Sequence, residues 1–132
     1  MQNRILLVLT FLSTLLFAEL PPYYYKNLQN ASQENLIIEV NHVHQSISIL
    51  SNNIVLDVNA TVLKVQHSQS NLQKGDTIRI KYSRVLKHPT GWVGPSEPLI
   101  LEERTSYKAY LKQFENSKLY LPDARGKSFE QQ

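Results

Sequence analysis

The chain predicts a small, mostly β domain: a curled barrel of five strands with one short helix ahead of it. Three observations carry this expectation. From residue 36 onward, apolar residues recur at every second position in one segment after another, the period of a half-buried strand. In two of those segments the alternation slips by one residue, as it does at a β-bulge, and bulges bend strands. Only between residues 21 and 33 does the spacing turn helical.

Residues 1–18 have the three-part form of a secretory signal. Arg4 gives a positive start, Ile5 to Phe17 is an apolar run broken only by Thr10, Ser13 and Thr14, and Ala18 is a small residue before Glu19-Leu20-Pro21-Pro22. The run is shorter than the roughly 20 apolar residues a spanning helix needs. Cleavage after Ala18 is expected, leaving no stable membrane span; an uncleaved anchor is the alternative. The expected address is therefore the periplasm or the exterior of a bacterium. The chain has no cysteine, so the domain folds without the disulfides that small secreted domains commonly recruit. Asn30-Ala31-Ser32 and Asn59-Ala60-Thr61 match the glycosylation triplet, which acts only in a eukaryotic host.

Residues 19–33 form an N-terminal segment, helical or irregular. Pro21-Pro22 suits a helix entrance, and Tyr24, Leu28 and Ala31 fall at helical spacing. Tyr23, Tyr24 and Tyr25 cannot all face one side, so at least one is expected in solvent.

Residues 34–132 make the barrel domain, one domain by size. Leu36, Ile38 and Val40 alternate with more polar neighbours, and the phase then slips to Val43, Ile47 and Ile49. Ser51-Asn52-Asn53 is a turn. Ile54, Leu56, Val58, Ala60 and Val62 form the next strand, slipping to Leu63 and Val65. After the turn Leu72-Gln73-Lys74-Gly75-Asp76, the residues Ile78, Ile80 and Tyr82 point one way and Arg79, Lys81 and Ser83 the other. Residues 87–98 hold three prolines with Gly91 and Gly94 and predict a long loop. Tyr107, Ala109 and Leu111 mark a further strand, Leu119 to Leu121 a short one, and Asp123 to Phe129 a last edge. Short strands curled by bulges around one core describe a barrel of the OB type, with a sandwich as the competing architecture.

The stretch Ala60-Thr61-Val62-Leu63-Lys64-Val65, followed by Leu72 to Tyr82 with its Lys74-Gly75-Asp76 turn, resembles the netrin-like, or tissue-inhibitor-of-metalloproteinases-like, version of the OB barrel. Tyr107-Lys108-Ala109-Tyr110-Leu111 fits the strand that follows the long loop in such domains. The chain also resembles uncharacterised small exported bacterial proteins that carry Gly91-Trp92-Val93-Gly94-Pro95 in that loop. The likeness spans residues 34–129. Inhibitors of that family chelate the zinc of their target through an N-terminal cysteine, which this chain lacks, so none of their inhibitory residues carries over.

Four features bear on function. Trp92 stands between Gly91 and Gly94 in the long loop; a Trp there is either a lid on the core or a contact platform, and Trp is enriched at binding hot spots. Tyr82 and Tyr120 are its expected companions in either role. Arg79 and Lys81, within the cluster Lys74, Arg79, Lys81, Arg84 and Lys87, offer a basic strand to a protein or an anionic glycan, although exposed strands also carry such charges to discourage edge pairing. His42 and His44 share one strand face and suit copper or zinc. A third ligand would have to come from His67, His88, Glu39 or Asp57, and without one the pair reads as surface histidines. Catalysis has little support: no nucleophile elbow and no phosphate-binding glycine loop appear, which leaves a small hydrolase as the third reading. Formal net charge is +3, and one less without Arg4, which gives no footprint for nucleic acid. The expectation is a non-catalytic exported binding module without a cofactor, contacting a protein or glycan of the cell envelope through Trp92 and the basic strand, with metal binding at His42 and His44 as the alternative.

Overall fold

A computed structural model describes residues 21–88, 91 and 96–132. The signal segment expected at 1–18, and Trp92 and Gly94 of the long loop, lie outside the described residues. Among the described residues six strands follow one helix: α1 (Pro22–Ala31), β1 (Glu34–Ser48), β2 (Asn53–Ser68), β3 (Thr77–Val85), β4 (Ser106–Gln113), β5 (Leu119–Pro122) and β6 (Phe129–Gln131). Antiparallel pairs β1–β2, β2–β3, β5–β4 and β4–β1, with a parallel pair β3–β5, close a ring of five strands in the order β1-β2-β3-β5-β4. This is the small curled five-stranded barrel with a short helix that the alternation predicts. β6 pairs with β4 beyond the end of β5. The last edge therefore lies at Phe129–Gln131 rather than 123–129, because Arg125–Lys127 winds into a 3₁₀ turn first.

The phase slips are bulges. Along the β1–β2 ladder the register shifts between Val40 and His42, leaving Asn41 without an opposite residue, and twice more on the β2 side, at Leu63 and Gln66. Each extra residue moves the apolar set back onto the inner face, so Leu36, Ile38 and Val40 before Asn41 and Val43 after it all point to the core. The bends let two long strands wrap the barrel, as bulges do at barrel corners. Inside lie Leu36, Ile38, Leu56, Val58, Ile80 and Leu111, all fully buried, each contributing about 1.5–3 kcal/mol of transfer free energy. Phe129 of β6 caps the interior between the rings of Tyr82 (centroids 5.6 Å apart) and Tyr107 (6.5 Å, edge to face).

Two of the left-handed residues shape the turns that join β1, β2 and β3. Asn52 (φ 50°) closes the β1–β2 hairpin and receives the Leu86 N–H on its carbonyl. Gly75 (φ 94°) lets the turn before β3 fold back, so that its N–H reaches the Val62 carbonyl and the Asp76 carbonyl receives the Val62 N–H.

The helix is shorter than the 21–33 segment and turned from its expected face. Tyr25 and Gln29 are the buried pair, Tyr24 and Leu28 are half-buried, and Ala31 is exposed. The reason is polar: the Gln29 amide donates to the Lys127 carbonyl (2.9 Å) and to a Glu130 carboxylate oxygen (2.7 Å), docking α1 on the 3₁₀ turn and β6. Tyr23 stands in solvent.

Candidate functional site

Registers place His42 and His44 of β1 and Arg79 and Lys81 of β3 on one outer surface. Across β1, β2 and β3, one row runs His42, Asn59, Arg79 and the next runs His44, Asp57, Lys81. The histidine pair and the basic strand, two separate features of the sequence, are thus parts of a single face with Asp57 in its middle. Arg79 grips the Asp57 carboxylate with two donors, Nε to Oδ1 at 2.7 Å and a terminal nitrogen to Oδ2. That bond holds the Asp57 carboxyl below its usual range against the opposing effect of burial, with the charges of Arg79, Lys81 and His44 adding to it. The guanidinium of Arg79 is therefore engaged, while Lys81 has no hydrogen-bond or ion-pair partner among the described residues. His42 sits 3.2 Å from a Glu103 carboxylate oxygen that also accepts the Val43 N–H. Among the described residues no three His, Asp or Glu side chains gather where they could hold a metal ion, so His42 and His44 gain no third ligand there.

Tyr82 does not belong to this surface. Its position is in phase with Ile78 and Ile80, and its ring lies in the core. The hydroxyl donates to the Leu99 carbonyl and accepts the Leu101 N–H, which pins the segment before β4 over the barrel. Burial pushes this phenol up to about 12. Tyr120 is likewise internal. Neither tyrosine is available as a contact platform. Gly91 takes a left-handed turn (φ 79°) that suits glycine.

A second candidate region, absent from the sequence expectations, is a cleft of about 590 Å³ bounded by α1, Ser96, the 3₁₀ turn and β6, a size within the usual range for small-ligand sites. Lys26 and Lys127 stand on it from different elements, with Tyr25, Gln29 and Glu130 forming its wall. The wall is fixed by hydrogen bonds. Tyr25 Oη accepts from the Ser96 N–H (3.3 Å) and pairs with its hydroxyl (3.1 Å), while Gln29 ties Lys127 to Glu130. Gly126 is required by contact rather than conformation: a Cβ there would fall 1.9 Å from Ser96 Oγ. The helical spacing of Tyr25 and Gln29 was the one sequence signal for this wall; its partners lie about 70 to 100 positions away.

A further polar cluster surrounds the buried carboxylate of Glu34. Glu34 opens β1 in phase with Leu36 and Ile38 and has no exposed surface. One carboxylate oxygen accepts from the Ser68 hydroxyl (2.6 Å), the Ser70 hydroxyl (2.5 Å) and the Ser70 N–H (3.2 Å), and the other from the Gln69 N–H (3.0 Å). The Ser70 hydroxyl also meets Tyr120 Oη at 2.7 Å. Burial raises the Tyr120 phenol, the Ser70 bond opposes this, and the charges of Glu34 and Asp76 add to the rise. The cage clamps the start of the β2–β3 connection to the barrel, a structural task.

No family model, curated protein or solved structure matches this chain.

Proposed function

We propose that this chain is an exported, non-catalytic binding module of the bacterial cell envelope, and that its ligand is an acidic saccharide chain held in the cleft between α1 and β6. One observation carries the reading: two lysines from separate elements, Lys26 and Lys127, flank a cleft whose floor is a fixed array of amide, hydroxyl, phenol and carboxylate groups. Ammonium groups suit carboxylates of the ligand, and the polar array suits its hydroxyls. Trp92, four positions before Ser96 in the sequence, belongs to the same proposal as an aromatic face for a sugar ring.

The outer face of β1–β3 supports a second contact, with Lys81 exposed beside the Arg79–Asp57 pair. In barrels of this order the outer face of β2–β3 is a common ligand surface, which favours a shared role for Lys81 and the cleft in binding a long acidic chain. Isothermal titration with a uronic-acid oligosaccharide tests the proposal. Saturable binding that weakens about tenfold or more in Lys26→Glu/Lys127→Glu supports it, since exposed charge contacts of about 1 kcal/mol each are lost and then reversed. Binding unchanged in that variant overturns it. Retained affinity in Trp92→Ala removes the loop from the account.

A further inference from the structure

The β1–β2 hairpin outruns the barrel, and beyond Val40 no strand among the described residues pairs with its outer edge. β4 covers β1 only as far as Glu39, and the last bonds on that side link Val40 to Thr105 and Arg104. After the bulge at Asn41, Val43 turns its N–H away from β2 and is capped by the Glu103 carboxylate. By the two-residue period, Gln45 and Ile47 turn their N–H and C=O the same way. No hydrogen bond covers those groups among the described residues.

Edges of this kind are normally blunted by lysine, proline or inward charge. From Val43 to Ile54 the chain has no Lys, Arg, Asp, Glu or Pro. It instead exposes Ile47, Ile49 (85%) and Leu50 (fully), a concentration of aliphatic surface at one tip.

We infer that this edge pairs with the same edge of a second copy, antiparallel about a two-fold axis through Ser46. In that register Gln45 of one copy faces Ile47 of the other, so the two uncovered residues of each chain exchange N–H···O=C bonds, four in all, and the Glu103 side chain moves off the Val43 N–H to admit Ile49 of the second copy. Val43 then faces Ile49 of the second copy, and His44 faces Ser48. No like charges meet, and the edge is complementary to itself, as an isologous interface requires. The three strands β1, β2 and β3 of each copy join into one six-stranded sheet. An interface of one short strand pair lies below the size of stable obligate dimers, so association is concentration-dependent.

Two measurements on the purified protein decide this. Sedimentation equilibrium from about 10 to about 500 µM should show the mass rising toward twice that of one chain. Amide exchange at Gln45 and Ile47 should slow by at least about threefold over the same range, while other amides stay constant. Ile47→Lys, which places a charge on the edge, should abolish both effects at unchanged circular dichroism. A single-chain mass throughout, or a dimer whose Gln45 and Ile47 amides exchange at the dilute rate, overturns the inference. Binding of phosphatidylglycerol vesicles by the tip with no self-association also overturns it. The cleft lies on other elements, so either proposal can fail alone.

Discussion

Replacing Glu34 by Gln probes the internal clamp with almost no change of shape. The carboxylate receives three donors on one oxygen and one on the other, and no cation lies among its hydrogen-bond partners. An amide keeps its oxygen on the crowded side and turns its NH₂ toward the Gln69 N–H, donor against donor. Setting that part-buried donor against another costs about 1–3 kcal/mol, and three charge-assisted bonds become neutral ones. Removing a buried charge offsets part of this. The expected net loss is about 2–3 kcal/mol, a large share of the 5–15 kcal/mol typical of a domain. Urea unfolding followed by tyrosine fluorescence should show the midpoint falling by about 1–2 M, given a slope of about 1–3 kcal/mol/M for small proteins. Ser70→Ala should cost about 1 kcal/mol, and the double variant should lose less than the sum. A midpoint unchanged or raised in Glu34→Gln would refute the clamp.

Three further outcomes are expected. Because the folded chain holds the Tyr82 proton more tightly than an exposed tyrosine of pKa about 10, the stability from this group is intact below pH ~10 and is lost as pH rises through about 12. Absorbance at 295 nm should therefore show one phenol titrating last, and Tyr82→Phe should remove that step at a cost of about 1–2 kcal/mol from the orphaned Leu101 N–H. Asp57 is depressed, so its contribution is present above the ordinary carboxylate pKa of about 4 and is lost as pH falls through its lower folded value. In Arg79→Ala, carboxyl NMR should find Asp57 titrating at higher pH, and an unmoved curve would discount the bidentate bond. Gly126→Ala forces Ser96 to move and should cost about 1–3 kcal/mol by overpacking, together with the cleft's shape; a thermal midpoint equal to wild type would show that the contact yields freely.

Strands were the legible part of this fold because their signal is local. Val40 to Val43 and Val62 to Val65 betray bulges by a one-residue change of phase, and Gly75 betrays the turn before β3. The pairing of β3 with β5 is parallel and rests on Arg79–Ile80 against Leu119–Tyr120, too short a match to leave a pattern. The helix face was misread because its stripe is narrow and its buried pair includes Gln29, a polar residue recruited by Lys127 and Glu130. Tyr82 reads as a companion of Trp92 in either role, lid or platform, and its phase with Ile78 and Ile80 assigns it to the core. Glu34 was visible as a carboxylate in phase with Leu36, but the serines that satisfy it arrive from 34 and 36 positions away. His42, His44, Arg79 and Lys81 were each legible alone; only the register could gather them on one face.

The central claim, an acidic saccharide held between Lys26 and Lys127, is tested most directly by titrating ¹⁵N-labelled protein with a uronic-acid oligosaccharide and reading amide shifts. The account predicts saturable shifts at Lys26, Gln29, Ser96 and Lys127, absent with a neutral oligosaccharide of the same length. Shifts elsewhere only, or none up to millimolar ligand, would contradict it.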